Sequence, residues 1–395
     1  MTAPTTGGAG RSDLIEFIRR AGRTTRKAIA EHTGLSRSVV AQAVAELIAG
    51  GLVVERMSAT APAAEPPLRS RRGRPTSVLE LTPRPGVVVA CDIGHRHLSV
   101  AVCDLRSRVR HETRTVFAVD DGAAATFAAL ARLVAAALSA AGAGGADVRA
   151  FGVSFPYPVV RSTGAVQAPA ALRGWQGVTA TDARPAGFGG IPIVFDNDAN
   201  FGAWGERIHG TAPALDNLLY VKLSDGIGAG LIVDGVLLSG ARGTGGEMGH
   251  IQVEPGGALC RCGRRGCLET VVAANPPDHR GAGLRVGRAI AQLCRFVDAE
   301  VVVLGGQLGS AGGPLVQGVR DAFAEAFDEP TGVTVRTAAL GPRSELVGII
   351  DRTVTAAWAA DHTGRATDSH SSWRRTNSRV LLEVPFEEER FVMKE

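Results

Sequence analysis

Three cysteines and a histidine cluster at His250, Cys260, Cys262 and Cys267. In an intracellular chain, thiolates and an imidazole at this spacing build a closed tetrahedral zinc site. With all four positions filled by side chains, the zinc braces the fold and takes no part in turnover. Glu247 and Glu269 flank the four ligands. Upstream, Phe195-Asp196-Asn197-Asp198 follows the apolar run Ile191–Val194. Asn197 and Asp198 then project from the C-terminal end of a strand, where α/β folds hold their ligands. Together with Glu247, His250 and Glu269 they suit a polyol, because each can hydrogen-bond a sugar hydroxyl and a carboxylate can also take its proton.

Two glycine turns follow apolar strands in the same part of the chain. Val87–Cys91 reads as a buried strand running into Asp92-Ile93-Gly94, with a second strand at Leu98–Cys103. The pattern recurs where Leu218–Leu223 runs into Ser224-Asp225-Gly226-Ile227-Gly228-Ala229-Gly230. Glycine lets backbone N–H groups approach a phosphate closely. Strand, Asp/Gly turn, strand, occurring twice, predicts a duplicated α/β fold with a phosphate loop in each half.

The first 82 residues follow another pattern. Leu14, Ile15, Phe17, Ile18 and Ala21 recur at helical spacing behind Ser12, a suitable N-cap. A second helix fits Arg26–His32, capped by Thr24 or Thr25, and the turn Thr33-Gly34-Leu35 leads to a third helix capped by Ser36 and running to about Ala49. Val39, Val40, Ala43, Val44, Leu47 and Ile48 form its apolar face, and Arg37, Ser38, Ala41 and Gln42 the opposite one. Helix, glycine turn, helix is a helix-turn-helix, and small or polar residues on its second helix suit a DNA major groove. Strands at Leu52–Met57 and Ser77–Leu81 add a wing. Arg71-Arg72-Gly73-Arg74-Pro75 at the wing base suits phosphates or a minor groove. Arg26, Ser36, Arg37, Ser38, Gln42, Arg72 and Arg74 are the expected DNA contacts.

Composition agrees with this division. The chain has 395 residues, 45% apolar and 21% charged, as a soluble protein of two or three domains would. Twelve of its 43 basic residues but six of its 39 acids fall in residues 1–75, so a basic module is joined to a nearly neutral body. No run of about 18 uninterrupted apolar residues marks a membrane span, and the N-terminus has no export signal. A cytoplasmic protein without a membrane partner is expected.

The whole pattern resembles the ROK family of repressors, open reading frames and sugar kinases, and specifically its transcriptional-repressor branch. The resemblance runs over about residues 12–360 and rests on Glu247-Met-Gly-His250, on Cys260-Arg-Cys262-Gly-Arg-Arg-Gly-Cys267-Leu-Glu269, on Asn197-Asp198-Ala199-Asn200, on Gly34-Leu35-Ser36-Arg37-Ser38, and on Gly73-Arg74-Pro75. It implies a winged helix-turn-helix in residues 1–82 and a two-lobed actin/hexokinase-like ATPase fold in 86–360. A partly disordered tail is expected at 361–395. It also implies zinc on His250, Cys260, Cys262 and Cys267, and a sugar held by Asn197, Asp198, Glu247, His250 and Glu269. Asp92, Gly94, Gly226, Gly228, Gly305 and Gly306 would be the remnant of a nucleotide site, and in the family's kinases the residue at Asp198 is the general base. The implied partners are a double-stranded DNA operator, a sugar effector and a second copy of the chain, as a homodimer or higher oligomer.

Three departures bear on activity. The family's kinases carry D-x-G-G-T at the first turn, where this chain has Asp92-Ile93-Gly94-His95-Arg96. The lost glycine and hydroxyl remove donors on which phosphoryl transfer depends. Tyr157 stands where a small glycine is usual beside the sugar. The segment Val271–Gly283 is short, with several dozen helical residues missing. A sugar-responsive DNA-binding repressor is therefore expected, with an ATP- and Mg-dependent sugar kinase using Asp198 as base as the alternative. The sugar would bias closure of the two lobes and, through Thr82–Gly86, the spacing of paired winged helices.

Overall fold

The computed structural model describes residues 11–58, 76–82, 84–213, 215–273, 278–327 and 333–363. They divide into one unit running to Thr82 and another from residue 83. Arg72, Arg74 and the tail beyond Thr363 lie outside the described residues.

The first unit is three helices and a hairpin: α1 (Arg11–Ala21), α2 (Arg26–Thr33), α3 (Arg37–Ala49), β1 (Val53–Ser58) and β2 (Thr76–Leu81). Ser12 is not the N-cap of α1, which is already helical at Arg11. Thr25 caps α2 by accepting from Ala28 N at 3.1 Å, and Ser36 caps α3 by accepting from Val39 N. The intervening turn needs Gly34, whose φ of 69° is strained for any side chain with a Cβ. The strands pair antiparallel from Val53↔Leu81 to Ser58↔Thr76. Leu14, Ile18, Ile29, Val40, Val44 and Leu47 are buried between helices and hairpin. Val39, expected on the apolar face of α3, is 48% exposed, because the contact with α2 takes the Val40–Val44–Leu47 stripe.

The second unit holds two five-stranded sheets. In the first, the order β5-β4-β3-β6-β7 is built from β3 (Val87–Gly94), β4 (His97–Asp104), β5 (Val109–Val116), β6 (Val148–Phe155) and β7 (Ile193–Asn197). The last of these starts two residues later than its sequence predicts and runs on through Asn197. In the second, β8 (Leu218–Leu223), β9 (Ile227–Val233), β10 (Val236–Leu237), β11 (Val301–Gly305) and β12 (Thr334–Thr337) take the order β10-β9-β8-β11-β12. Each sheet has an antiparallel hairpin flank and a parallel flank. The duplication expected from the two glycine turns is therefore present at the level of topology.

Helices cover both faces of each sheet, so the central strands β3, β6, β8 and β11 are buried on both sides, while the edge strands β5 and β12 are polar. On the first sheet Val87, Val89, Cys91 and Ile93 share a core with α4 (Ala123–Ala140). By length and composition α4 could cross a bilayer, although Thr126 and Arg132 interrupt it. It packs Leu130, Val134 and Ala137 against this core instead, as an ordinary core helix does. On the second sheet Leu219, Val221 and Leu223 face α7 (His279–Val297) and α9 (Gly313–Ala326), while Leu218 and Tyr220 face α5 (Asp198–His209). The short α6 (Leu268–Ala273) and α8 (Gly306–Ser310) complete this half. Of the short Val271–Gly283 segment, residues 271–273 end α6 and residues 279–283 open α7.

Between the sheets lie α5 and α10 (Ser344–Thr363), which runs past the expected boundary at 360. They cross where Gly205 meets Gly348. A Cβ on Gly205 would stand 2.3 Å from Ser344 O, and one on Gly348 2.0 Å from Phe201 O, so neither position admits a side chain. This contact brings the N-terminus of α5, and with it Asp198, against both halves.

Candidate functional site

The ends of β3, β6, β7, β8 and β9, with the loops before α6, enclose a cavity of about 460 Å3. Asn197, Asp198, Glu247, His250 and Glu269 all line it, beside Gly94, Gly226 and Gly228. The expected ligand residues and both glycine turns therefore meet in one place. Asp92, Gly305 and Gly306 are not among the lining residues. Asp92 is buried behind His97 and accepts from Ser154 Oγ at 2.7 Å, Gly305 lies against the Tyr220 ring, and Gly306 abuts Ser224.

Asn197 has a structural duty that its sequence context did not reveal. Its Oδ1 caps α5 by accepting from Ala199 N at 2.9 Å, and its Nδ2 reaches Phe155 O at 3.4 Å. Asp198, the first residue of α5, is paired with Lys222 Nζ at 2.7 Å. Burial works against a charged Lys222, yet the carboxylates of Asp198, Glu345 and Asp92 hold its pKa above the usual lysine value. Sequence reasoning missed Lys222. Its signal was a lone charge inside the apolar strand Leu-Leu-Tyr-Val-Lys-Leu. Burial, with the charges of Asp198 and Glu269 added, pushes Glu247 up to about 7.

The four expected metal ligands converge, with their donor atoms all within 4.8 Å of one another. Cys262 Sγ and Cys267 Sγ are 3.6 Å apart, and Cys260 Sγ lies 3.5 Å from His250 Nδ1. A tetrahedron with metal–sulfur bonds of about 2.3 Å has sulfur–sulfur edges of about 3.8 Å, so donors and spacing fit a zinc ion. The other nitrogen of His250, Nε2, is 3.7 Å from Glu247 Oε2, and Cys260 Sγ is 2.9 Å from Glu269 Oε1. Each flanking carboxylate is thereby tied to the cluster.

The bulky residues of the first turn are each held by a carboxylate. His95 Nδ1 is 2.8 Å from Asp120 Oδ1, Arg96 Nε is 3.3 Å from Asp225 Oδ1, and His97 Nε2 is 2.8 Å from Asp92 Oδ2. A Cβ on Gly94 would overlap the His97 ring at 2.1 Å. Tyr157 lines the cavity, rests edge-on against Trp175 and donates to Asp120 Oδ1 at 2.6 Å. Asp120, in the short turn Val119–Asp121, carries no sequence signal.

In the first unit, Ser36, Arg37, Ser38 and Gln42 come together, exposed, on the N-terminal part of α3. Ser36 Oγ and Ser38 Oγ are 3.0 Å apart, and Gln42 Nε2 lies 3.4 Å from Glu46 Oε1. Arg26 departs from expectation. Its guanidinium forks onto Glu55, with the NH2–Oε2 distance 2.9 Å, and NH1 reaches Ser77 Oγ at 3.3 Å. This pairing, helped by Ser77, holds Glu55 down to about 2. Arg26 thus fastens α2 to the wing. Val39, by contrast, adds an exposed methyl surface to α3 that was not expected there.

This is a winged helix joined to a two-lobed α/β domain of the actin/hexokinase type. Residues 8–61 match the MarR family model and residues 88–276 the ROK family model, so the chain carries a ROK family domain preceded by a MarR-type winged helix. A glucokinase from Halalkalibacterium halodurans is 31% identical over 206 residues, 40% of this chain and 62% of that protein. A xylose repressor from Caldicellulosiruptor bescii is 26% identical over 245 residues, 62% of this chain and 59% of that protein. The chain thus spans about three fifths of the length of these relatives. A solved ROK family transcriptional regulator, described as a homologue of the E. coli MLC protein, superposes with a TM-score of 0.66 at 20% identity, covering 88% of this chain and 96% of that one. A ROK hexokinase from Thermus thermophilus gives 0.54 at 27% identity, covering 69% and 99%.

Proposed function

We propose that this protein is a sugar-responsive DNA-binding transcriptional repressor of carbohydrate-use genes, acting in the cytoplasm as a homodimer or higher oligomer. The observation that carries the reading is the exposed polar face of α3, in a chain whose first glycine turn is crowded by His95 and Arg96 held on Asp120 and Asp225. Phosphoryl transfer needs a closely cradled phosphate, and bulky side chains there work against it. One oxygen of Asp198 holds the Lys222 ammonium, and the carboxylate keeps lone pairs to accept a hydrogen bond from a bound sugar, which is what an effector site requires.

In this reading Asn197, Asp198, Glu247, His250 and Glu269 take the sugar hydroxyls. Ser36, Arg37, Ser38 and Gln42 read the major groove, with Arg72 and Arg74 on the backbone, and Arg26 drops out. Val39 offers a contact to a thymine methyl. His250, Cys260, Cys262 and Cys267 would hold a structural zinc, which keeps the loop bearing Glu247 and Glu269 in shape. Asp92, Gly94, Gly226, Gly228, Gly305 and Gly306 are the relic of a nucleotide site. Sugar binding would shift the closure of the two lobes and, through residues 82–86, the pairing of winged helices across the dimer. The kinship with glucokinases keeps a second reading, an ATP- and Mg-dependent sugar kinase with Asp198 as base.

The test is a pair of assays on one panel of glucose, xylose and N-acetylglucosamine. Binding to DNA from the protein's own upstream region should change with one of the sugars, and no sugar should elicit ADP release. Sugar-dependent ADP release that vanishes in Asp198→Asn would overturn the repressor reading.

A further inference from the structure

We propose that Arg261 is the positioning residue that closes the cleft over the sugar, doing with a side chain what a nucleotide bridging the two glycine turns would otherwise do. The proposal rests on the effector reading above. Arg261 stands between Cys260 and Cys262, on a loop belonging to the second sheet's half. Its guanidinium reaches in three directions. NH2 donates to Asp225 O in the second glycine turn at 2.7 Å, Nε is 3.3 Å from Glu269 Oε1, and NH1 is 3.2 Å from Asp120 Oδ2 across the cleft. All three donor nitrogens are engaged, as only a planar fork allows.

Asp120 belongs to the first sheet's half. The backbone bonds Val119 N→His95 O and Phe117 N→Arg96 O tie its segment to the first glycine turn. Its Oδ1 takes the Tyr157 hydroxyl and lies beside His95 Nδ1, so Oδ2 is the oxygen left for Arg261. A continuous polar path therefore runs from Tyr157 and His95 through Asp120 and Arg261 to Glu269. It spans both turns and ends on a residue that lines the cavity. The parallel Arg96–Asp225 pair also crosses, but Arg96 is 78% exposed and such pairs contribute little. Arg261 is 23% exposed, and partial desolvation strengthens its charge-assisted bonds.

Closure of this kind needs no triphosphate. Arg261 fixes the orientation of Glu269, so sugar affinity depends on it although it need not touch the sugar. Asp120 acts through Arg261, so the two are one unit and their effects overlap.

The experiment compares full-length wild type with Arg261→Met, Asp120→Asn, the double variant and Arg261→Lys, after metal analysis shows equal metal content. Hydrogen exchange without ligand reads the latch directly. Residues 94–98, 118–122 and 224–228 should exchange about ten-fold faster in either single variant, with the double variant no faster than the singles and α4 unchanged. Arg261→Lys, which keeps the charge but loses the fork, should fall between. Unchanged exchange in both single variants, or additive effects in the double, overturns the proposal. Calorimetry with glucose, xylose and N-acetylglucosamine supplies the second readout. The sugar that binds wild type should bind Arg261→Met at least ten-fold more weakly, and a non-hydrolysable ATP analogue should leave wild-type affinity unchanged. Equal sugar affinity, or tightening by the analogue, also overturns it. If no sugar binds wild type, the effector reading fails while the exchange result still decides whether Arg261 closes the cleft.

Discussion

The two glycine turns occupy equivalent places in the two sheets but have different contents. After β8 the turn itself meets only side chains, Glu269 and His95 standing 3.3 Å or more from a Cβ on Gly226, and backbone crowds the glycines that follow it. A Cβ on Gly230 would stand 2.4 Å from Ala199 O, and one on Gly246, in the neighbouring loop, 1.9 Å from Ala229 O. After β3 the corresponding space is taken by the chain's own side chains, with His97 over Gly94, His95 on Asp120 and Arg96 on Asp225. Glycine at 230 is a packing requirement that holds with or without a ligand. In the first turn the neighbour is a side chain, so the space could be refilled without moving backbone. Under the proposed repressor reading, this filled turn is the half of a nucleotide site that would have become a wall.

The largest effect on this contrast should come from beneath the second turn. Cys262→Ser should take the protein from about one bound zinc per chain to near none. With the brace gone, the loop carrying Arg261 and Glu269 should loosen and the sugar response should disappear. Metal analysis and sugar titration check both, and stoichiometric zinc in the variant would remove Cys262 from the ligand set. Gly230→Val should cost about 1–3 kcal/mol through overpacking against α5, read as a drop in melting temperature. Gly94→Ala should cost less, because what it meets is a ring that can turn aside, and the cost should vanish when His97 is also replaced by Ala. If the two glycines proved equally intolerant in both backgrounds, the distinction between backbone and side-chain crowding would fail.

The smallest effect is read most clearly in acid. Burial opposes a charged Asp92, but the charge and hydrogen bond of His97, with Lys222 and Ser154 nearby, hold its pKa well below the usual aspartate value. A depressed carboxylate contributes stability at every pH above its unfolded pKa of about 4, lost only as pH falls toward the folded value. Acid unfolding of wild type should therefore show this loss below pH 4. In His97→Ala the contribution should be smaller at neutral pH and should disappear at a less acid pH. Coincident acid transitions in the two proteins would argue against the pair.

Much of this was legible from residue type and spacing. Thr25, Gly34 and Ser36 announced the turn between α2 and α3, because caps and positive φ are local requirements. The convergence of His250, Cys260, Cys262 and Cys267 and the strand-end place of Asp198 were legible for the same reason. What was hidden depends on partners distant in sequence. Nothing near Arg26 shows that it would meet Glu55, and nothing near Asp120 shows that Tyr157, His95 and Arg261 converge on it. Helical periodicity marked Val39 as apolar but could not tell which stripe of α3 the other helices would cover. Asn197 shows the reverse case, where a residue chosen for its ligand chemistry is largely occupied in capping its own helix.

The place of α10 has a consequence for synthesis. It covers the face of the first sheet that α4 leaves open, with Gly152 pressed against Thr353 and Trp358 Nε1 donating to Leu105 O. It also supplies Glu345, which accepts from Tyr220 Oη at 2.9 Å beside Lys222. Residues 87–197 leave the ribosome long before 344–363, so one apolar face of a finished sheet stays wet until the last described helix arrives. The nascent chain must be sheltered through that interval, and a message truncated before codon 344 would yield a sheet with a bare face and a cleft whose buried lysine lacks Glu345.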